Sequence, residues 1–373
     1  MPADVLLVYD DRMLGHNPMG WDSERPEWTE SVKALLAAIY PDMNLDEYSH
    51  PERPQRLTAI IDRLYEMPIA GTAWNGAEPA GVAELARVHT REHVDFVESL
   101  AGRSCWLSVD TTAVSPESVL AAKLAAGAGM AAVEAIVNGH ARRAFCAVRP
   151  PGHHALAGRA MGFCIYNNVA VAAAHARALG LQRILILDWD LHHGNGTQDI
   201  FYADPDLLFI DSHCAAPFYP GTGQLDETGQ GDGLGRTLNV PLPAGSGNAT
   251  MLAVLRNIVR PAAEQFRPDL IIVSAGFDAH YQDQTFAMDE GGYAALTTGI
   301  CDIADEFSNG RVILCLEGGY NADAVASSVH AVVTALTGKR CDAYDVLADD
   351  PGLVAVDEAA AFHAASLRLP GHT

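Results

Sequence analysis

Short apolar runs alternate along the chain with longer, alanine-rich stretches. Each run spans four or five residues with few polar positions, which is typical of parallel strands buried on both faces of a sheet. The predicted strands are Val5–Tyr9, Ala144–Val148, Arg183–Leu187, Leu207–Ile210, Leu270–Ser274 and Val312–Leu316. The predicted helices between them include Val119–Val137, Tyr166–Leu179 and Met251–Phe266. This alternation predicts an α/β fold with an open, mostly parallel β-sheet flanked by helices on both faces.

Two regions interrupt this alternation. Residues 15–49 are rich in tryptophan and tyrosine and predict a long loop insertion with a short helix near residues 29–39. The aromatic content of this insertion favours an ordered lid or an oligomer contact over disorder. Residues 212–242 are rich in glycine and proline and predict a second loop. Because no linker or repeat divides the sequence, we expect a single domain over residues 1–373.

The composition narrows the classes of function. Hydrophobic residues make up 49% of the 373 residues and charged residues 19%, which is typical of a globular protein with a large core. The net charge of −23 repels phosphate backbones, so direct binding of nucleic acid is not expected. Such a surface tolerates or attracts cationic substrates.

The seven cysteines indicate neither a disulfide framework nor a thiolate zinc site, because they are scattered and contain no CxxC pair. The N-terminus lacks the basic start and long apolar stretch of a signal peptide, and no apolar run is long enough to span a bilayer. We therefore expect a cytoplasmic protein with no membrane partner.

Polar side chains follow five of the apolar runs directly. The polar segments are RPPGHH (149–154), DWDLHHGNG (188–196), DSH (211–213), AGFDAH (275–280) and EGGY (317–320). In open α/β sheets, ligands bind beyond the carboxyl ends of the strands. We therefore expect these segments to meet in one active site.

The segment after the third predicted strand holds two aspartates and two histidines within six residues. Asp188, Asp190 and His192 recur at every second position, so an extended backbone directs them to one side, where they can chelate a divalent cation. Asp278 is the candidate third ligand beside Asp190 and His192. Three protein ligands with one open position are typical of catalytic zinc, although iron(II) or cobalt(II) suits the same set. Alternatively, these groups cap helices and bond one another, but unpaired buried charge is costly.

Two adjacent histidines and one tyrosine are candidates for proton transfer beside this cation. His153 and His154 follow a Pro-Pro-Gly turn. Asp188 and Asn195 are their candidate partners and would give the two imidazoles different protonation states. Tyr320 follows two glycines and can stabilise an oxyanion. Taken singly, each of these residues also fits an ordinary core or loop position.

Six motifs, in order, resemble those of the histone deacetylase family. They are RPPGHH (149–154), GFCIYNN (162–168), DWDLHHGNGTQDIFY (188–202), FYPGTG (218–223), SAGFDAH (274–280) and LEGGY (316–320). The resemblance runs from about residue 5 to about residue 335 and is closest to class II enzymes and bacterial deacetylase-like amidohydrolases. It implies the arginase-deacetylase fold, which agrees with the predicted sheet.

The resemblance also implies hydrolysis of amides by a zinc-activated water. Zinc would be bound by Asp190, His192 and Asp278, and the scissile carbonyl would be polarised by Tyr320. His153 and His154 would be the paired catalytic histidines, with His154 as the general base. A structural potassium ion would be bound by Asp188, Asp190, His192 and Ser212, partly through main-chain oxygens.

The remaining implied positions surround this centre. Asp188 would orient His153, and Asn195 would face His154; class I relatives have aspartate at the latter position, so Asn195 favours class II. The positions implied in substrate binding are Gly162, Phe163 and Tyr219 in the channel walls, Thr285 where polyamine-selective relatives have glutamate, and Arg53 at the acetate exit.

The expected function is a zinc-dependent amidohydrolase acting on acetyl-lysine-like, acetylpolyamine or other small amide substrates. One alternative is an arginase-like ureohydrolase, which would need two manganese ions and bridging ligands. The other alternative is a non-catalytic sensor of acyl-lysine or a metabolite. The aromatic residues of the 15–49 insertion are also compatible with a homo-oligomer.

Overall fold

The computed structural model describes residues 3–18, 50–108, 110, 112–339 and 350–367 of the chain. Its strands are β1 (Ala3–Val8), β2 (Thr72–Asn75), β3 (Cys105–Trp106), β4 (Ala113–Val114), β5 (Ala141–Cys146), β6 (Ile184–Asp188), β7 (Leu207–Cys214), β8 (Thr237–Leu242), β9 (Leu270–Ala275) and β10 (Val312–Leu316). Eight strands form one sheet in the order β2-β1-β5-β10-β9-β6-β7-β8, with every neighbouring pair parallel. The short β3 and β4 pair antiparallel outside it. The predicted parallel α/β sheet is confirmed.

The two edge strands are the part of the sheet that the apolar pattern failed to predict. β2 has the sequence TAWN and is half-exposed, so it shows no continuous apolar run. β8 has the sequence TLNVPL and lies within residues 212–242, where we expected only a loop. Asn239 and Pro241 break its apolar pattern, and proline is tolerated because an edge strand leaves one side unpaired. The predicted insertion and its helix near 29–39 lie largely outside the described residues.

Helices cover both faces of the sheet. They are α1 (Pro54–Glu66), α2 (Val82–Leu85), α3 (Arg91–Glu98), α4 (Ser118–Val137), α5 (Asn168–Ala178), α6 (Asn195–Phe201), α7 (Asn248–Val254), a π turn (Leu255–Val259), α8 (Arg260–Phe266), α9 (Glu290–Phe307), α10 (Ala322–Leu336) and α11 (Leu353–Leu367). On one face, α4 packs against α5 and against β1, β5 and β10. On the other, α10 packs against α1 and α9 and contacts β1 and β5.

Helix α4 is long and apolar enough to cross a membrane, and among the described helices it alone meets that test. Most of its length is buried against the sheet and α5, so its apolar character is explained by a place in the core. Its small residues also permit close packing. A side chain at Gly127 would collide with the main-chain carbonyl of Glu78, which explains the glycine there.

A buried ion-pair cluster joins the chain segments on either side of residues 19–49. Glu52 accepts two hydrogen bonds from the guanidinium of Arg149, at 2.8 and 2.9 Å. The same carboxylate lies 3.1 Å from Nη1 of Arg56 and 3.2 Å from Nε2 of His16. Burial opposes the ionisation of Glu52, but Arg149 and His16 hold its pKa well below the usual range. Each buried charge in the cluster therefore has a partner, which is the condition for tolerating it.

Three buried histidines make the fold sensitive to acid. Burial lowers the pKa of His16, His89 and His193 to about 4. As the pH falls from about 6.5 to about 4, the unfolded chain takes up protons that the folded chain does not, so stability falls by up to about 3 kcal/mol per histidine. We expect the urea midpoint of unfolding to be lower at about pH 5 than at about pH 7.

A matched pair of variants checks this expectation. His89→Gln should reduce the loss of stability between the two pH values, because it removes one buried imidazole. His140→Gln changes an exposed histidine and should leave the loss unchanged. Equal midpoints at both pH values for the unaltered protein would contradict the expectation.

Candidate active site

The adjacent strands β5, β10, β9 and β6 deliver the predicted site residues to one edge of the sheet. Asp190 and His192 follow β6, Asp278 follows β9, Tyr320 follows β10, and the histidine pair follows β5. Because parallel strands end at the same edge, residues as many as 165 positions apart become neighbours. The convergence expected from the sequence is therefore observed.

Asp190, His192 and Asp278 face one another at this edge. Nδ1 of His192 lies 3.0 Å from Oδ1 of Asp190 and 3.0 Å from Oδ2 of Asp278. One ligand atom from each of the three lies within 4.8 Å of the others, and both carboxylates are fully buried. The second carboxylate oxygens are held elsewhere, since Asp190 accepts from the amide of Gly318 and Asp278 from the amide of Leu191.

This arrangement fits a divalent cation. A single imidazole hydrogen cannot serve both carboxylates, and within the described structure Oδ2 of Asp278 has no hydrogen-bond partner. Burial and the neighbouring charge of Asp190 raise the pKa of Asp278 to about 6. Ligands of tetrahedral zinc are separated by roughly 3.3 Å, close to the spacing of His192 from the two carboxylates. Such a cation would be held by the three predicted ligands.

The two histidines lie side by side but have different partners. Their ring centroids are 4.0 Å apart. Nδ1 of His153 lies 3.0 Å from Oδ2 of Asp188, whereas Nδ1 of His154 donates to Oδ1 of Asn195 at 2.8 Å. Burial opposes protonation of His153, but Asp190 and Asp188 outweigh it and hold its pKa well above 6.5. Burial and the charge of His153 hold the pKa of His154 well below 6.5.

The turn that carries the histidines is fixed by Glu317, a residue to which the sequence assigned no role. Oε2 of Glu317 accepts hydrogen bonds from the amides of Gly152 and His153, at 2.6 and 3.1 Å. Burial raises the pKa of Glu317 to about 7. Its position in the sequence could have indicated a role in the site, because Glu317 comes directly after a wholly apolar strand.

Tyr320 is positioned through its main chain. Oδ2 of Asp283 accepts hydrogen bonds from the amides of Tyr320 and Asn321, at 2.5 and 2.7 Å. The guanidinium of Arg56 lies 4.9 Å from the centre of the Tyr320 ring. Burial and the nearby charge of Asp278 hold the pKa of Tyr320 well above 10, so its hydroxyl stays protonated and can donate.

The arginine behind the centre is Arg56, and the expectation for Arg53 is wrong. Arg53 precedes the first turn of α1 and is exposed. Arg56 lies one helical turn later on the buried face of α1 and donates to the main-chain carbonyls of Glu317 and Gly319. HPERPQRL contains two arginines three positions apart, and its sequence alone does not show which one lies behind the centre. The side-chain directions in α1 show that it is Arg56.

A cavity of about 280 Å³ leads to the centre. It is lined by Asp110, His154, Gly162, Phe163, His192, Phe218, Tyr219, Gln284 and Tyr320. The structure therefore places the predicted wall residues Gly162, Phe163 and Tyr219 on this cavity. Thr285 is exposed and absent from the lining, where its neighbour Gln284 lies instead. A role for Thr285 in substrate binding stays a prediction.

Asp110 connects two walls of the cavity, and no motif in the sequence indicates this role. Its Oδ2 accepts from the hydroxyl of Tyr219 at 2.7 Å and from the amide of Gly162 at 2.9 Å. Burial opposes ionisation, but hydrogen bonds, first those from Ser108 and Thr112, keep the pKa of Asp110 below its usual value. The side chain is therefore an anion at the cavity wall.

Phe218 is another wall residue that the motifs did not indicate. Its ring stacks on His192, with centroids 5.1 Å apart and planes inclined by 26°. The stacking shields one side of the candidate ligand from solvent. FYPGTG contains both Phe218 and Tyr219, so the motif indicates this part of the wall but not the contact between Phe218 and His192.

Ser212 lies on β7 next to β6. Its hydroxyl donates to the main-chain carbonyl of Asp188 at 3.4 Å, and it is buried. A potassium ion bound by Asp188, Asp190, His192 and Ser212 stays a prediction.

Residues 50–336 match the histone deacetylase domain. The chain belongs to the histone deacetylase family. It is 37% identical over 314 residues to a histone deacetylase-like amidohydrolase of Pseudomonas aeruginosa, covering 83% of this chain and 82% of that protein. It is 38% identical over 307 residues to human polyamine deacetylase HDAC10, covering 77% of this chain and 44% of that protein. This membership makes the chain a hydrolase that acts on amides.

The fold of the histone deacetylase family is shown by a solved structure. The HDA15 HD domain superposes with a TM-score of 0.83 at 34% sequence identity, covering 97% of this chain and 95% of that one. The arginase-deacetylase fold predicted from the motifs is therefore confirmed.

Proposed function

We propose that this protein is a zinc-dependent deacetylase that removes small acyl groups from amines held in the 280 Å³ cavity. The observation that carries the proposal is the meeting of Asp190, His192 and Asp278, with Nδ1 of His192 at 3.0 Å from both carboxylates. When bound there, zinc would supply Lewis acidity toward the substrate carbonyl and toward water.

The two histidines divide the proton transfers. Because Nδ1 of His154 donates to Asn195, the neutral ring has its free lone pair at Nε2, where it can accept a proton from the attacking water. His153 is kept protonated by Asp188 and Asp190 and can release its proton to the leaving amine. Tyr320 donates its hydroxyl hydrogen to the carbonyl oxygen as charge develops there.

The cavity favours an amine with a slender acyl arm. Aromatic rings of Phe163, Phe218 and Tyr219 line it and offer apolar contact to methylene groups. Asp110 is the only carboxylate among the described lining residues, and it favours a substrate with positive charge near the acyl arm. Acetyl-lysine and acetylpolyamines both meet these requirements.

A substrate panel with metal control tests the proposal. Purified protein is freed of metal with a chelator, reloaded with zinc, and assayed on acetyl-lysine peptides, acetylpolyamines and small amides. We expect hydrolysis of at least one class that disappears with chelator and returns with zinc. Binding of acyl-lysine without turnover would instead support the sensor alternative. Hydrolysis that chelator does not affect would contradict the zinc assignment.

The ureohydrolase alternative gains no support. It requires two ions that share bridging ligands, whereas Asp190, His192 and Asp278 form one compact set. A cytoplasmic location and a homo-oligomer stay predictions.

Asn195→Asp is expected to move the acid limb of the pH profile. A carboxylate beside His154 would stabilise its protonated form, as Asp188 does for His153. The pKa of His154 would rise by about one unit or more. Since the neutral ring is the base, the pH below which kcat/KM declines should rise by a similar amount, measured on the zinc-loaded enzyme. Asn138→Asp adds the same charge at an exposed position, and a limb that moved equally in both variants would contradict the assignment.

A further inference from the structure

A second group of metal-ligating side chains lies beside the first. One ligand atom each from His153, Cys164 and Glu317 lies within 4.8 Å of the other two. All three side chains are buried. Imidazole, thiolate and carboxylate are the three ligand types that zinc takes in proteins, and a thiolate adds a preference for soft cations. The two groups share no residue.

In His153 and Glu317, other contacts engage one polar atom of the side chain and leave the second as the candidate ligand atom. Nδ1 of His153 is engaged by Asp188, so Nε2 is the nitrogen that remains, and it lies 3.9 Å from Oδ1 of Asp190. Oε2 of Glu317 is engaged by two amides. Oε1 of Glu317 has no hydrogen-bond partner in the described part of the chain, although it is fully buried. The thiol of Cys164 lies 3.3 Å from the carbonyl of Gly162.

An unpartnered buried carboxylate oxygen is costly and points to a missing partner. Glu317 adds a fourth carboxylate to Asp188, Asp190 and Asp278 within the same buried region. A cation bound through Oε1 of Glu317 would supply the partner that this oxygen lacks.

We propose that His153, Cys164 and Glu317 form a second, weaker site for a thiophilic divalent cation, and that its occupation inhibits the enzyme. The inhibition rests on the proposed function, because it follows from the role of His153; the binding itself does not. Binding releases two protons, one from Nε2 of His153 and one from the thiol of Cys164, whose pKa burial holds well above its usual value, so this site fills after the first. With Nε2 ligated, His153 has no proton to give to the leaving amine.

Cadmium tests the site directly, because cadmium–thiolate charge transfer adds a band to the ultraviolet difference spectrum, at shorter wavelength than the aromatic bands. Protein carrying one equivalent of zinc is titrated with Cd²⁺ while absorbance, bound metal and amide hydrolysis are measured together. The wild-type protein should take up one further equivalent, gain the thiolate band and lose most of its activity over the same Cd²⁺ range. Glu317→Gln should need more Cd²⁺ for the same band.

Cys164→Ala decides the outcome, with Cys105→Ala as the control for a more accessible thiol. Cys164→Ala should keep its basal activity, show no band and resist inhibition, whereas Cys105→Ala should behave like the wild type. An unchanged band or unchanged inhibition in Cys164→Ala would overturn the proposal, as would a wild-type protein that binds no second equivalent. Zinc binding and hydrolysis without cadmium report the proposed function, so the two can fail separately.

Discussion

Asp190→Asn is expected to abolish both zinc retention and amide hydrolysis. The substitution keeps the shape of the side chain but removes the negative charge of one of the three candidate ligands. Its Oδ1 lies 3.0 Å from Nδ1 of His192, so the substitution places a neutral amide where the anionic ligand atom stood. Zinc content after dialysis should fall from about one equivalent to near zero. Turnover should fall at least about a thousandfold, because zinc and the base act together.

Two further measurements isolate the cause. Asp305→Asn removes an exposed carboxylate that pairs with Arg142, and it should leave zinc content and turnover unchanged. Burial opposes the ionisation of Asp190, but His153 and His192 hold its pKa well below the usual value, so metal-free Asp190→Asn should unfold at a lower temperature than the metal-free wild-type protein. Full zinc retention by Asp190→Asn would disprove the assignment of Asp190 as a ligand.

Tyr320→Phe is expected to lower kcat by about a hundredfold to a thousandfold while zinc content stays at one equivalent. The reason is the loss of a single donor aimed at the developing oxyanion. The rest of the side chain still packs against Arg56, which lies 4.9 Å from the ring centre. KM should change little, because the hydroxyl contributes mainly in the transition state.

The control for this variant is Tyr281→Phe, which removes a hydroxyl from an exposed tyrosine. Turnover by Tyr281→Phe should match the wild type. Near-normal turnover by Tyr320→Phe would remove the phenol from the mechanism. A loss of zinc in the same variant would show instead that the substitution disturbs Asp278.

The centre of the site was predictable because it depends on strand ends. A buried parallel strand shows a continuous apolar run, and whatever polar residue follows it lies at the common edge of the sheet. Asp190, His192, Asp278 and Tyr320 all satisfy this rule, so their convergence follows from local patterns alone. The partners of the two histidines were predictable too, since Asp188 and Asn195 lie in the same short segment.

The walls of the cavity were less predictable because they depend on contacts between distant segments. Asp110 follows no buried strand, and its importance appears only when Tyr219 and Gly162 are brought to it. The orientation of a side chain on a helix or loop is equally hard to predict from the sequence. Arg56 faces the core where Arg53 faces solvent, and Gln284 faces the cavity where Thr285 faces away.

The edge strands β2 and β8 were hard to predict for a similar reason. A strand with one free side carries mixed polarity, so its pattern resembles that of a loop. β2 is placed in the sheet by pairing with β1, and β8 by pairing with β7. A short stretch of sequence carries no information about such a partner.

The contact between His16 and Glu52 brings together the two chain positions that flank residues 19–49. His16 and Glu52 are in contact, so the chain leaves and re-enters the domain at almost one point. Insertions or deletions between them therefore need not disturb Arg149, which leads into the turn bearing the two histidines. A change in the length of this segment therefore need not move the chain ends that the cluster holds together.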